Sequence, residues 1–282
     1  MQNNMHKTVC AVMILVAGTF AAFAQTPGDP SQRGSIVSTV PPDVVKDLAP
    51  TGKLRAAINL SNIVLVQKDP ATGAPRGITP DLARELAKRL GVPIDLVTFE
   101  SAGRVTDALK TGAWDIAFLA IEPARAAEIS FTAPYVLIEG GYMVLKDSPL
   151  KAIADVDRAG VRIAVARGSA YDLYLTRNLK SAELVRYPTG DEAMNKFVAD
   201  KIDAAAGVKQ PLVLHAKANP NLRVMDGRFQ VIEQAMGTPK GRDAGARYLR
   251  AFVEEMKASG FVADALKRSN QPDAAVAPAA GG

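Results

Sequence analysis

From residue 52 onward the apolar positions change period repeatedly, first in short unbroken runs, then in stripes three to four residues apart. Runs of the first kind read as buried strands and stripes of the second kind as helices. The clearest stripe is Leu82, Leu86 and Leu90, in a helix predicted over Pro80–Leu90. Thr79 is its expected cap, Pro80 suits the first turn, and Asp81 complements the positive end of the dipole. Glu85 and Arg89 form an i,i+4 pair, while Gly91 stops the helix and Pro93 prevents its resumption. A strand over Ile94–Phe99 follows, then a helix through Val105–Lys110 and a strand over Trp114–Ala120.

The second half repeats that order. Strands are predicted at 161–166, 184–188 and Ile202–Val208, and helices at Ala170–Leu179 and Asp191–Asp200, the latter burying Met194, Phe197 and Val198. A further helix at Asp243–Lys257 places Ala246, Leu249, Phe252, Val253 and Met256 on one face. The chain therefore reads as two similar strand-helix-strand-helix-strand units, an α/β architecture. Residues 140–150, a strand running into a Ser-Pro turn, are the expected interdomain connection.

The flanks differ. Residues 1–24 have the layout of a secretory signal peptide: Lys7 in a polar start, an uncharged apolar run from Thr8 to Phe23, and the small-x-small pattern Ala22-Phe23-Ala24. That run is shorter than the roughly 20 residues of a spanning helix. Residues 25–51 read as a mostly irregular leader with a short helix near Asp43–Leu48, and residues 270–282 as a disordered tail.

Composition narrows the chemistry. With 48% hydrophobic and 22% charged residues in 282, the chain has a globular balance rather than that of a disordered segment. Lys and Arg number 34 against 29 Asp and Glu, a spread excess of +5 that suits a small anion and offers no basic block for nucleic acid. His6 and Cys10 lie within the predicted signal, which leaves His215 as the mature chain's one histidine. A Cys/His metal site, a disulfide framework and a cysteine nucleophile are thereby excluded, and no phosphate-binding glycine loop occurs, so no cofactor is expected. His215, on a short amphipathic helix with no nucleophile elbow nearby, reads as a surface residue.

Two corners can hold an anion. A strand ending at Ala120–Ile121 passes into a Pro-started turn carrying Arg125, whose planar fork matches a carboxylate. The alternative is a surface arginine paired with Glu122 or Glu128. In the second unit a strand reaches Gly168, and a helix begins near Ser169–Ala170, offering backbone N–H groups. The alternative there is an ordinary capped connection.

The ordered set of motifs carries more. Gly52-Lys53-Leu54-Arg55, Gly77-Ile78-Thr79-Pro80-Asp81-Leu82-Ala83, Leu109-Lys110-Thr111-Gly112 with Trp114-Asp115, Glu122-Pro123-Ala124-Arg125 with Ile129-Ser130-Phe131-Thr132-Ala133-Pro134-Tyr135, Gly168-Ser169, Asp191-Glu192-Ala193 and Ile202-Asp203-Ala204 appear in sequence. Together they resemble the family-3 solute-binding proteins of bacterial ABC transporters, the periplasmic polar amino-acid receptors. The resemblance implies a type II Venus-flytrap fold with two hinge strands, lobe 1 from residues 52–142 plus 233–269 and lobe 2 from 143–232. It also implies that Arg125 holds the ligand's carboxylate, that the partner is a membrane permease, and that the protein is a periplasmic monomer.

Departures from the family's pattern bear on the ligand. Leu119, Ala120 and Ile121 stand where the family offers hydroxyls, and Asn59-Leu60-Ser61-Asn62 and Ser101-Ala102-Gly103 where aromatic clamps are common. Gly207-Val208-Lys209 occupies the place of the acidic residue that meets an α-ammonium. A buried ammonium without a carboxylate would cost several kcal/mol. An organic acid lacking that group, or a dianion that also engages Lys209, is therefore expected over an ordinary amino acid. The candidate ligand-binding residues are Asn59, Ala102, Ala120, Glu122, Arg125, Gly168, Ser169, Ala170, Tyr171, Val208 and Lys209. The alternative on the same scaffold is an enzyme resembling periplasmic cyclohexadienyl dehydratases, for which Glu122 is the one carboxylate near the motif that could serve as general acid. A sensor module for a membrane kinase is a third idea, but the chain offers no signalling domain.

Overall fold

A computed structural model describes residues 40–281; the signal-peptide reading of residues 1–24 lies outside them. The first unit runs β1 (Leu54–Asn59), a small hairpin of β2 (Gln67–Lys68) and β3 (Pro75–Arg76), α2 (Ile78–Leu90), β4 (Ile94–Phe99), α3 (Ala102–Ala108), β5 (Ile116–Ala120) and α4 (Pro123–Ala126), preceded by α1 (Pro42–Leu48). A single strand, β6 (Ile129–Leu145), then leads to the second unit: β7 (Arg162–Ala166), α5 (Ala170–Asn178), β8 (Glu183–Tyr187), α6 (Gly190–Ala199), β9 (Ala204–Val208), α7 (Lys209–Ala218) and β10 (Leu222–Val224). The chain returns through β11 (Gln230–Pro239) to α8 (Asp243–Ala258), α9 (Phe261–Arg268) and β12 (Ala275–Val276).

The two units have the same topology: β1 pairs in parallel with β4 and β5, and β7 in parallel with β8 and β9. One sheet joins them in the order β4-β1-β5-β11-β6-β9-β7-β8. The joint is made by β6 and β11. At 17 residues and about 3.3 Å per residue, β6 spans roughly 55 Å. Residues Ile129 to Gly140 pair with β11, and Gly140 to Met143 pair with β9. Two adjacent strands therefore carry all the covalent traffic between the lobes described here.

Parallel strands covered on both faces should be apolar on both, and they are. In β1 and β5, Leu54, Ala56, Ile58, Ile116, Phe118 and Ala120 face one cluster, with Leu82, Leu86 and Leu90 of α2 and the Leu249–Phe252–Met256 stripe of α8. Ala57, Ala117 and Leu119 face the other, around fully buried Trp114 and Val105. The period of two is repeated in the second lobe, where Ile163 and Val165 belong to one core and Ala164 to another.

Several local expectations need correction. Thr79 does not cap α2: the helix begins at Ile78 after Gly77, whose φ of 115° only glycine adopts readily, and the buried Thr79 hydroxyl donates to Leu65 O at 3.3 Å. Gly91 does stop the helix in the left-handed region, at φ 67°. Val198 is 38% exposed rather than part of the α6 core, which rests on Ala193 and Phe197. The short helix expected near Asp43–Leu48 is α1, and it packs Val44 and Leu48 into the first lobe. There Asp47 accepts from Gly245 N at 2.9 Å. The tail is not disordered. β12 adds to β6 opposite Val136 and Leu137, Ala277 N donates to Tyr135 O at 3.1 Å, and Lys257 Nζ donates to Pro278 O at 2.8 Å. Its small side chains are what let it lie flat, with Ala274 and Ala277 buried.

Candidate ligand-binding site

The C-terminal ends of β1, β5, β7 and β9 converge on a cavity of about 250 Å³ between the lobes. This is the edge at which open α/β sheets place ligands. The first lobe contributes Asn59, Ser61, Asn62 and Ile63 after β1, Ser101 and Ala102 before α3, and Phe118, Leu119, Ala120 and Arg125 around β5. The second contributes residues 166, 167 and 169–171 around the start of α5, Gly190, Asp191 and Met194 of α6, residues 206–208 at the end of β9, and residues 211, 212, 214 and 215 of α7. Ile232 and Gln234 come from β11.

Arg125 is the central group. Its helix, α4, is a single turn, started by Pro123 directly beyond β5, so the side chain folds back under the strand end at 2% exposure. Nη1 donates to Ala120 O at 3.0 Å and Nη2 to Gly168 O at 2.8 Å, while Nε has no partner. Burial pulls the guanidinium down to about 10, an effect opposed by the charge of Glu122. It is therefore a cation at neutral pH, poorly solvated and with Nε unpartnered. A carboxylate is the group whose charge and geometry match it.

Glu122, one turn away, is also 2% exposed but lies off the cavity wall. Its Oε1 accepts from Gln230 Nε2 at 3.1 Å. Its Oε2 stands 2.5 Å from Arg177 Nη2 of α5, an ion contact without good hydrogen-bond alignment. That pair crosses from one lobe to the other, as does the Arg125–Gly168 bond. A third crossing is steric: a Cβ on Gly103 would sit 2.8 Å from Arg167 O. The lobes are thus in contact on the Arg125 side.

The Gly168 corner is a self-contained cap. Gly168 has φ 69°, its N–H donates to Asp172 Oδ2 at 2.8 Å, and Ser169 Oγ accepts from Asp172 N at 3.0 Å. Asp172 is buried and held by Arg186 Nε at 2.9 Å. A carboxylate thus already occupies this helix start, and the corner's contribution to Arg125 is a carbonyl, not an anion seat. Ser169, Ala170 and Tyr171 line the cavity beside it, and burial pushes the Tyr171 hydroxyl up to about 12, so it is neutral.

Lys209 is a second correction. It opens α7, but its Nζ reaches Glu139 Oε2 at 3.2 Å on the hinge strand β6, away from the cavity. Val208, the residue before it, does line the cavity, as do Asn59, Ala102 and Ala120. The expectation that His215 is a surface residue also fails: it is half-buried and lines the cavity, one turn along α7 from Leu212. Phe118, Met194, Leu212, Gln234 and Asp191 were not anticipated. The spacing of α7 carried a signal, since Pro211, Leu212 and His215 fall on one helical face next to Val208. For Gln234 there was none, because β11 enters the site from about 110 residues beyond β5. Asp191, at the exposed start of α6, is the only carboxylate among the lining residues.

Two α/β lobes on one sheet, joined by two strands and closing over a cavity, define the type II two-lobed periplasmic binding proteins. The chain belongs to the bacterial extracellular solute-binding proteins of family 3, whose model matches residues 60–269. It is 26% identical to a glutamine-binding protein of Geobacillus stearothermophilus over 194 residues, 67% of this chain and 73% of that one. Its fold matches a mutant of ArgBP from T. maritima with a TM-score of 0.69, at 21% identity, covering 80% of this chain and 99% of that one. It also matches the ancestral amino acid-binding protein AncCDT-1, a precursor of cyclohexadienyl dehydratase, with a TM-score of 0.66, at 24% identity, covering 79% and 98%. No described helix is long and apolar enough to cross a membrane.

Proposed function

We propose that this protein is the periplasmic receptor of an ABC importer, and that its lobes close on a small carboxylate-bearing solute held by Arg125. The observation that carries this reading is the buried, incompletely bonded Arg125 guanidinium on the cavity wall, faced by no buried carboxylate of the lining. The same balance favours an organic acid lacking an α-ammonium over an amino acid. Val208 is apolar, Glu122 is engaged outside the cavity, and Asp191 sits at the solvent-exposed edge. The relatives named for glutamine, arginine and amino-acid binding support the carboxylate part of this reading.

The test is a thermal shift with paired amino acids and their deaminated carboxylates. A ligand at a hundred times its Kd adds about 2.7 kcal/mol, which raises the midpoint by roughly 5–10 °C at this size. A shift with the deaminated acids that Arg125→Ala abolishes is the expected result. A shift with amino acids alone would overturn the organic-acid part, and turnover of prephenate would replace the receptor with a dehydratase.

A further inference from the structure

Resting on the carboxylate-receptor reading above, we propose that the rest of the ligand is hydrocarbon: the site takes a monocarboxylate with a branched or aromatic tail. The walls beyond Arg125 are built from Phe118 and Ile232 on the first-lobe side and Met194 and Leu212 on the second. Phe118 is itself fixed, edge-on to the buried Tyr135 ring at 6.2 Å between centroids.

The cavity's polar side chains are largely spent on the protein. Asn59 Oδ1 accepts from Ser61 N and Oγ at 3.2 and 2.8 Å, Ser101 caps α3, and Ser169 caps α5. That leaves the amides of Asn62, whose Oδ1 has no partner, and Gln234, the half-buried imidazole of His215, and the exposed Arg167 and Asp191. With Arg167 and Asp191 left to solvent, the two amides and the imidazole can meet one polar substituent, such as a 2-oxo or 2-hydroxy group. They are too few to replace the water around a polar chain.

The cavity's margin supplies an independent observation. Among the described residues the large hydrophobics left exposed are Ile63, Leu145, Val198, Leu214 and Val231. Two of these, Ile63 at 37% and Leu214 at 55%, sit on the cavity, one on each lobe. Apolar lips on both sides of an opening are costly in water and are covered when an apolar solute lies between them. Size sets the limit. A cavity of 150 Å³ takes a benzene ring, so 250 Å³ takes an acid of about ten heavy atoms.

Titration calorimetry on the full chain with propanoate, butanoate, 4-methylpentanoate and phenylacetate, against succinate and L-glutamine, tests the idea. Affinity should rise about fourfold per added methylene, level off near ten heavy atoms, and carry a negative heat-capacity change. Leu214→Asn, at an exposed position that tolerates a polar group, should narrow the gap between 4-methylpentanoate and propanoate. Succinate or L-glutamine binding as tightly as 4-methylpentanoate would overturn the tail inference and leave the Arg125 reading intact. Tight binding of 4-methylpentanoate that survives Arg125→Ala would overturn the Arg125 reading instead. Failure of every acid to bind would overturn both.

Discussion

Gly103 offers a way to separate closure from folding. It is the second residue of α3, and α3 is the first-lobe helix that faces the β7–α5 turn. A methyl group there would lie 2.8 Å from Arg167 O and 3.5 Å from Gly168 Cα. An ordinary carbon–oxygen contact needs about 3.4 Å, so one side must move by roughly half an ångström. The obstacle is backbone and is tied down: Arg167 N donates to Tyr187 O at 2.8 Å, and Gly168 N to Asp172. Overpacking of this kind costs about 1–3 kcal/mol. Because the clash exists only when the lobes meet, that cost falls on the closed form, and Gly103→Ala should raise Kd between about 5-fold and 150-fold. In the open form alanine favours the helix over glycine by roughly 0.5–1 kcal/mol. The ligand-free melting temperature should therefore hold or rise while affinity falls. Calorimetry with 4-methylpentanoate measures the affinity, thermal melts the ligand-free stability, and small-angle scattering the opening of the lobes, as a larger radius of gyration for the variant. Unchanged affinity with unchanged scattering would refute the argument. A drop in both affinity and ligand-free stability would show that Gly103 matters to the fold instead.

Three further outcomes are expected. Removing residues 273–282 deletes β12 and its bonds to the hinge strand β6 and to Lys257; two or three lost hydrogen bonds should lower stability by about 2–3 kcal/mol in urea, whereas a disordered tail would leave it unchanged. Trp114→Ala empties the first lobe's second core and strands Val105 O, which now accepts from the indole at 2.9 Å; the loss should be about 3–5 kcal/mol, and a loss under 1 kcal/mol would contradict the packing. Arg89, which holds Glu255 below the usual carboxylate range, sets part of the acid limb. A lowered carboxyl pKa stabilises the fold above the unfolded value near 4.3, and that contribution is lost as pH falls through the folded pKa. Arg89→Ala should therefore be less destabilised than the parent between pH 5 and 3, as thermal melts will show. An unaltered pH profile would remove Arg89 from the account.

Closure here joins groups that are each incomplete alone. Arg125 has carbonyl partners on both lobes, Ala120 O and Gly168 O, but no anion. Glu122 on one lobe meets Arg177 on the other, and Gly103 presents bare backbone to the Arg167–Gly168 turn. These contacts surround the site without using its ligand-facing surface. They hold the lobes together on the Arg125 side.

What could be read from the chain alone was whatever neighbours in sequence settle between themselves. Leu82, Leu86 and Leu90 with Gly91 specify a helix and its end, because side chains four residues apart share a face and glycine tolerates the left-handed stop. The Ile94–Phe99 strand and the α8 stripe follow from period alone, and the repeated strand-helix order gives the α/β class. Arg125 was legible because Pro123 starts a turn directly after a strand. Even nearby rules failed where a distant partner intervened. Thr79 turned from capping its own helix to Leu65 O, and the alanine-rich tail, too weak to pack by itself, found an open edge on β6. The site needed the whole fold. Lys209 was drawn to Glu139, 70 residues away, and His215 was brought inward by the helix that follows β9. Gln234 arrived on a strand whose pairing to β5 spans more than a hundred residues. A cavity between two lobes is a property of how the lobes meet, and no local period along the chain encodes that meeting.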